Sequence, residues 1–145
     1  MAVQPAGKTV FELVSPERLL LAVQADMVVV PGSEGDFGVL PGHAPMISTL
    51  RPGAIDVYEG DRIVNRIFVA GGFSEVANDR LTVLAEQATL YAEVDRAALP
   101  ARIQAARDAL AQAGEHEEKR NAAEEFLVYL EHMAETSQRP IDAPA

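Results

Sequence analysis

The sequence predicts a β-sandwich or flattened barrel followed by a hairpin of two α-helices. Before about residue 94, β-branched and apolar residues alternate or occur in short runs between turn residues, a pattern typical of strands. After that point alanine, glutamate and arginine dominate, which favours helices. No helical pattern separates the strands, so the sequence offers nothing to make the crossovers of a parallel sheet.

Strand-like segments are separated by three turn signals. The Gly60-Asp61 and Asn78-Asp79 dipeptides each predict a two-residue hairpin turn. The Gly71-Gly72 pair predicts a break or a bulge, because glycine adopts unusual φ values at low cost. Residues 24–26 form a polar break inside a segment that is long enough for two strands or one bent strand. The segments are 9–14, 19–30, 54–59, 62–70, 73–77 and 80–85.

Two apolar stripes at helical spacing follow, and each predicts an amphipathic helix. The first helix either begins close to Pro100 or is kinked there, and Asp95 is its candidate N-cap. Gly114 ends this helix, and the second is predicted at about 116–135. The stripes consist of Leu99, Ile103, Ala106 and Leu110, then of Ala122, Phe126, Tyr129 or Leu130, and Met133.

The predicted hairpin is marginal by itself. Its alanine-rich stripes bury little apolar area per turn, and isolated helices of this length are barely stable in water. It must therefore pack on the sandwich, on itself or on a partner. A permanently docked hairpin and one that exchanges between docked and extended states both fit the pattern.

Residues 32–51 are the most informative segment. Four glycines and two prolines fall within residues 32–45, which indicates a tightly turning backbone. Apolar residues run through the segment, whereas a disordered linker would lack them. They are Phe37, Val39, Leu40, Met46 and Ile47. We therefore predict a rigid edge, held against the core, whose chemistry is recognition of another protein.

Composition disfavours several classes of function. Twelve basic against 22 acidic residues give a net charge of −10, which argues against nucleic acid as a partner. The absence of cysteine excludes a disulfide framework and a thiolate metal site. Residues 1–10 show no signal peptide, and no window approaches the roughly 18 apolar residues of a membrane span. We expect no direct membrane insertion.

No enzyme active site can be assembled from these residues. Gly32, Gly35 and Gly38 lack the spacing and the lysine of a phosphate-binding loop, and acidic residues lie between them. His43 has no evident nucleophile or acid beside it, and no set of metal ligands is evident. The sequence predicts no catalytic residue and no metal site, and His43 is interpreted as a contact residue at a subunit surface.

Five segments together resemble the epsilon subunit of the bacterial F-type ATP synthase, which corresponds to the chloroplast epsilon and mitochondrial delta chains. Gly-Ser-Glu-Gly at 32–35 and Pro-Gly-His-Ala-Pro at 41–45 are the most specific motifs. Order and spacing agree with this family across roughly residues 8–90. The segments are 11–16, 31–45, 50–55, 68–76 and 81–86.

The resemblance implies a sandwich of about ten strands and an antiparallel two-helix hairpin in a non-catalytic subunit of the rotor stalk. Such a subunit is clamped to the gamma subunit, stands on the c-ring and helps to pass torque between them. It carries no cofactor and lies at the cytoplasmic side of the bacterial inner membrane. The implied c-ring contacts are Ser33, Glu34, Asp36 and Phe37, and the implied gamma contacts are His43, Ala44, Pro45 and Met46.

The tail departs from a nucleotide-binding motif of some family members, which begins Ile/Leu-Asp-x-x-Arg-Ala. Asp95 matches its start, but Ala98 and Leu99 occupy the Arg-Ala positions, and Arg102 only lies nearby. Because guanidinium groups would bind the phosphates, we expect no nucleotide site at Asp95 and Arg102. The hairpin can reach the alpha and beta subunits and modulate ATP hydrolysis, but with few basic residues it is expected to inhibit weakly.

Two other classes of protein fit the residues less well than a rotor subunit. A free-standing β-sandwich for a small ligand would usually present more aromatic residues than the 6% of this chain, and a metal-dependent barrel enzyme would need more histidines than His43. The predicted domains are a rotor-docking sandwich at 1–92, a helical hairpin at 93–138 and a loose tail at 139–145.

Overall fold

Eight β-strands and two α-helices follow one another in the computed structural model, which describes residues 7–142. The first six residues of the predicted sandwich and residues 143–145 of the predicted tail lie outside the described residues. The strands are β1 (Thr9–Val14), β2 (Leu19–Ala25), β3 (Met27–Gly32), β4 (Gly35–Val39), β5 (Met46–Thr49), β6 (Gly53–Glu59), β7 (Arg62–Ala77) and β8 (Arg80–Leu90). A 3₁₀ turn at Tyr91–Glu93 leads to α1 (Leu99–Gln112) and α2 (Glu117–Thr136).

The two longest strands run through both layers of the sandwich. β7 pairs with β6 before Gly71 and with β5 after Gly72, where φ is +73° and +112° respectively. Pairing with β8 keeps the same register on both sides of these glycines, so the pair bends the strand without adding a bulge. One layer is β8-β7-β6-β3-β4 and the other β2-β1-β8-β7-β5. Counted by layer, the eight strands give the ten segments that the resemblance implies.

The core lies between these layers. Alternate residues of β1 and β8 point inward from one layer, and those of β3 and β6 from the other. Burying them at about 25 cal/mol per Å² of apolar area is the main source of stability. The largest fully buried side chains of this cluster include Phe11, Leu13, Val28, Val30, Ile55, Val57 and Leu81.

The predicted turns are confirmed. Gly60 has a φ of +61° in the β6–β7 hairpin, and Asn78 and Asp79 have φ values of 53° and 58° between β7 and β8. Two consecutive positive φ values define the turn type that matches the twist of the paired strands. The predicted polar break covers residues 24–26, but in the structure only Asp26 lies between the end of β2 and the start of β3.

Two features of the strands were not predicted. As expected, the sheet is not a parallel one, but it contains one parallel pair, β1 with β8. The two strands lie at opposite ends of the sandwich sequence, so the intervening strands make the connection that a crossover helix would otherwise supply. β4 and β5 lie inside residues 32–51, where only a turning backbone is predicted, because glycine and proline conceal their strand character.

The helices form the predicted antiparallel hairpin. Gly114, with a φ of +59°, ends the first helix, and Pro100 lies in its first turn. Arg107 of α1 reaches Glu131 of α2 at 3.5 Å. Asp95 does not cap α1: its carboxylate accepts a bond of 3.4 Å from the Ala98 amide in the preceding turn.

Only the base of the hairpin packs on the sandwich. Its buried side chains lie over Phe68 and Ala70 of β7, and they come from the first eight residues of α1 and the last eight residues of α2. Ala122, predicted to belong to the apolar stripe, is exposed because the tip of the hairpin extends past the sheet. The buried residues are Leu99, Ala106, Tyr129, Leu130 and Met133.

We expect Gly72→Ala to lower the free energy of unfolding by about 3 kcal/mol or more. An added Cβ would overlap the carbonyl oxygen of Leu84, and the φ of +112° disfavours any side chain. Gly60→Ala is the matched control, because its added Cβ meets nothing within 4 Å and costs only the left-handed conformation, about 1 kcal/mol. Urea titrations followed by circular dichroism measure both. Equal losses in the two variants would contradict the close approach at Gly72.

Candidate protein-docking site

The β3–β4 turn presents three of the four predicted c-ring contacts to solvent. Ser33 and Glu34 form its tip, and Asp36 follows on β4. Phe37 is half-buried and packs on the edge of the core. Gly32 begins the turn, where an added Cβ would stand 2.9 Å from the Phe37 ring and from the Gly35 carbonyl oxygen. Glycine at this position therefore permits the close approach of the two strands.

Hydrogen bonds fix this turn to the last residue of β5, Thr49, and to Arg51 just after it. The Ser33 amide donates to the Thr49 carbonyl at 2.9 Å, and the Thr49 hydroxyl donates to the Ser33 hydroxyl at 2.8 Å. Arg51 donates to the Gly32 carbonyl at 2.6 Å and forms an ion pair with Asp36. Tied at both ends, the turn presents its side chains with little freedom.

The predicted gamma contacts lie on the segment that enters β5. The His43 amide donates to the Leu40 carbonyl at 3.1 Å in a turn whose Gly42 has a φ of +84°. The Gly42 amide in turn donates to the Asp79 carboxylate at 2.5 Å. His43 is half-buried, with its Nδ1 2.7 Å from the Ala44 carbonyl oxygen.

A groove of about 580 Å³ lies between the β3–β4 turn and β5. Met46 belongs to it together with all four predicted c-ring contacts, whereas His43, Ala44 and Pro45 lie outside it at the start of β5. β4 and β5 are each paired along one side only, apart from the bonds near Thr49. The lining residues are Ser33, Glu34, Gly35, Asp36, Phe37, Met46, Ile47, Ser48 and Thr49.

Ile47 is a surface residue that sequence reasoning assigned to the core. It is 71% exposed on β5 and faces the groove. Met46 beside it packs inward, so the alternation of a strand explains the difference. Recognising β5 as a strand would have placed Ile47 outside. Isolated exposed apolar residues are ordinary, but this one adjoins unpaired strand edges.

A second cavity, of about 170 Å³, lies between the sandwich and the C-terminal part of α2. Arg66 is 6% exposed and forks onto Asp56, with Nε and Nη2 at 2.7 and 3.3 Å from its two oxygens. Alternation of polar and apolar residues along β6 and β7 does not distinguish this buried pair from polar residues that face solvent. The ionisable residues that line this cavity are Asp36, Arg51, Asp56, Arg66, His132 and Arg139.

His132 is affected by this environment. Burial, as the largest cause, lowers the pKa of its imidazole below the ordinary value of 6.5, and Arg51 and Arg139 lower it further. Glu135 and Asp36 oppose that shift. The neutral form is therefore favoured when the hairpin is docked.

The residues of the degenerate nucleotide motif are not brought together. Arg102 lines a groove of about 450 Å³ with Glu86 and Tyr129, and Asp95 is not among its lining residues. Within residues 7–142, no cluster of three or more metal-ligating side chains is present. None of the helices described there is long and apolar enough to cross a membrane.

Comparison with known proteins identifies relatives for most of the chain. Residues 8–90 match the family model "ATP synthase, Delta/Epsilon chain, beta-sandwich domain". An "ATP synthase epsilon chain" of Rhodospirillum rubrum is 55% identical over 119 residues, which cover 82% of this chain and 89% of the relative. One of Rhodospirillum centenum is 48% identical over 145 residues and covers 97% and 99%.

The fold is also similar to a solved one. A chain in the cryo-EM structure of the Euglena gracilis mitochondrial ATP synthase, OSCP/F1/c-ring, aligns with a TM-score of 0.73 and 23% identity. The alignment covers 92% of this chain and 84% of that one, so the similarity includes the hairpin as well as the sandwich.

We expect the helical hairpin to become less stable as the pH falls below about 6.5. Because the pKa of His132 is lowered in the folded state, the unfolded chain takes up this proton first, and acidification favours unfolding. His132→Gln should remove this part of the pH dependence. Helical circular dichroism in urea at about pH 7.5 and pH 5.5 compares the two proteins. Identical pH dependences would contradict the role of His132.

Proposed function

Because the chain belongs to the family of ATP synthase delta and epsilon chains, we propose that it is a non-catalytic subunit of the central rotor stalk. In this role it joins the gamma subunit to the c-ring and helps to pass torque between them. The family match over residues 8–90 carries this conclusion, since it contains both predicted contact surfaces. Their position beside one groove with unpaired strand edges supports it.

The β3–β4 turn is the proposed c-ring contact. Glu34 is exposed at its tip and is free to meet basic or amide groups on the polar loops of the ring. Asp36 is already paired with Arg51, so it contributes mainly by stiffening the turn. A contact that transmits torque must resist shear, and the bonds to Thr49 and Arg51 supply that resistance.

The segment from His43 to Met46 is the proposed gamma contact. Ala44 and Pro45 are exposed, and Pro45 limits the backbone just before β5. The bond from the Gly42 amide to Asp79 holds the approach to this segment against the β7–β8 turn, and the bond from the His43 amide to Leu40 closes the local turn. Ile47 extends the same surface with an exposed apolar side chain.

The hairpin is proposed as a weak modulator of ATP hydrolysis. Lys119 and Arg120 are the basic residues of α2 that can meet acidic groups on the alpha and beta subunits, and Arg120 lies 3.7 Å from Glu124 of its own helix. We further propose that the protein, as a subunit of the stalk, lies peripherally at the cytoplasmic side of the bacterial inner membrane.

We expect Glu34→Lys to weaken binding of the chain to an epsilon-free ATP synthase by about tenfold, because it reverses the charge at the c-ring contact. Asp61→Lys is the matched control, because it makes the same charge reversal in the β6–β7 turn. That turn lies beside Asp26 at the start of β3, whereas Glu34 follows the other end of the same strand. Binding titrations and ATP-driven proton pumping measure the effect. Equal binding by both variants would contradict the proposed contact.

The same experiment separates the two surfaces. Ala44→Glu places a charge on the proposed gamma contact and should weaken binding to isolated gamma subunit, whereas Glu34→Lys should not. Loss of gamma binding in Glu34→Lys alone would reverse the assignment of the two surfaces.

Calorimetric titration of the isolated chain with ATP should show no micromolar binding. Ala98, Ala105 and Ala109 stand where the family motif expects arginines, so few guanidinium groups are available for the phosphates. Arg102→Gln should leave the titration unchanged. Micromolar affinity in the unmodified chain, lost in Arg102→Gln, would establish a nucleotide site here.

A further inference from the structure

The attachment of the hairpin to the sandwich is concentrated near the end of α2. The buried residues of this 20-residue helix are Tyr129, Leu130, Met133 and Thr136, all in its last eight positions. The preceding part of α2 and the last six residues of α1 bury no side chain. Contacts around residues 129–139 therefore decide whether the hairpin stays on the sheet.

Arg66 connects the sheet to this end of the helix. Its Nη1 donates to the Arg139 carbonyl at 2.9 Å and to the Thr136 carbonyl at 3.4 Å. The last carbonyls of a helix have no partner within the helix and carry the negative end of its dipole. A guanidinium group is suited to both, because its fork can bind Asp56 and these carbonyls at the same time.

The other polar contacts between the sandwich and the C-terminal part of the chain include an exposed ion pair of Arg62 with Asp142 at 3.8 Å and a bond of 2.8 Å from the Asp142 amide to the Ile63 carbonyl. Two further contacts join neutral side chains or backbone groups. The hydroxyl groups of Thr89 and Tyr129 lie 2.6 Å apart, and Tyr91 donates to the Ser137 carbonyl at 3.4 Å. Neither involves a charge. Among the described contacts at this interface, Arg66 alone brings a buried charge to the backbone of the helix end.

Undocking of the hairpin would not leave this charge unpaired. Asp56 lies on β6, beside Arg66 on β7, so the ion pair belongs entirely to the sandwich. If the hairpin leaves, water can replace the two carbonyl acceptors, because their departure opens the cavity. The interaction is therefore reversible, and the core of the sandwich does not depend on it.

We propose that the Arg66–Asp56 pair is a latch that holds the C-terminal end of α2 on the sandwich. Breaking the bonds from Arg66 to the Thr136 and Arg139 carbonyls lets the hairpin detach as a unit, while Arg66 stays paired with Asp56 and the sandwich stays folded. This inference does not depend on which partners the docking surfaces bind, because all its contacts lie within one chain. It names the interaction that sets the population of the docked state.

Hydrogen exchange of the full chain, read by mass spectrometry, tests the latch. Arg66→Met should raise exchange at amides 129–136 at least tenfold, with β1 and β8 changing less than twofold. Arg107→Met is the matched control, since Arg107 bonds Glu131 inside the hairpin and does not reach the sandwich. It should leave residues 129–136 within twofold of the unmodified chain.

A second variant guards against failure of Arg66→Met to fold. Arg66→Lys keeps the charge beside Asp56 but loses the forked geometry of the guanidinium group. Its hydrogen exchange at residues 129–136 should be faster than in the unmodified chain and slower than in Arg66→Met. Unchanged protection of residues 129–136 in Arg66→Lys would overturn the proposal. An equal rise in β3, β6 and α2 would also overturn it, because Arg66 would then support the whole fold.

Discussion

The bend of β7 at Gly71 and Gly72 sets the positions of both the helical hairpin and the groove beside β5. It lets one strand serve both layers, so that β6 and β5 pair with successive halves of the same strand. Phe68 and Ala70, before the bend, form the platform for the hairpin. The residues after it support β5 and hence the docking groove. One backbone geometry, available at low cost only to glycine, thus positions both functional parts of the molecule.

The sequence was sufficient for the regular parts of this fold and insufficient for its exceptions. β1, both two-residue hairpins and the limits of the helices follow from patterns that local chemistry determines. β4 and β5 were missed because glycines and prolines mask strand periodicity, and the β1–β8 pair because long-range pairing leaves no local signal. Ile47 and Arg66 share one cause: alternation shows that faces differ, but not which face the core covers.

The docking site and the hairpin are not independent surfaces. Arg51 forms an ion pair with Asp36 of the proposed c-ring contact and lines the same cavity as His132 of α2. Charges brought to the β3–β4 turn therefore change the electrostatic environment of the helix end a few residues from Arg66. Conversely, a detached hairpin would expose Arg51 to solvent on its second side.

The parallel pair of β1 and β8 has a consequence for synthesis of the protein. β1 leaves the ribosome first, yet its partner is complete only after residue 90. Until then β1 can pair only with β2, and the backbone groups on its other edge lack the hydrogen bonds that β8 later provides. The sandwich can therefore close only late in translation. The helices are synthesised after β8, when the surface of β7 on which they pack can already have formed.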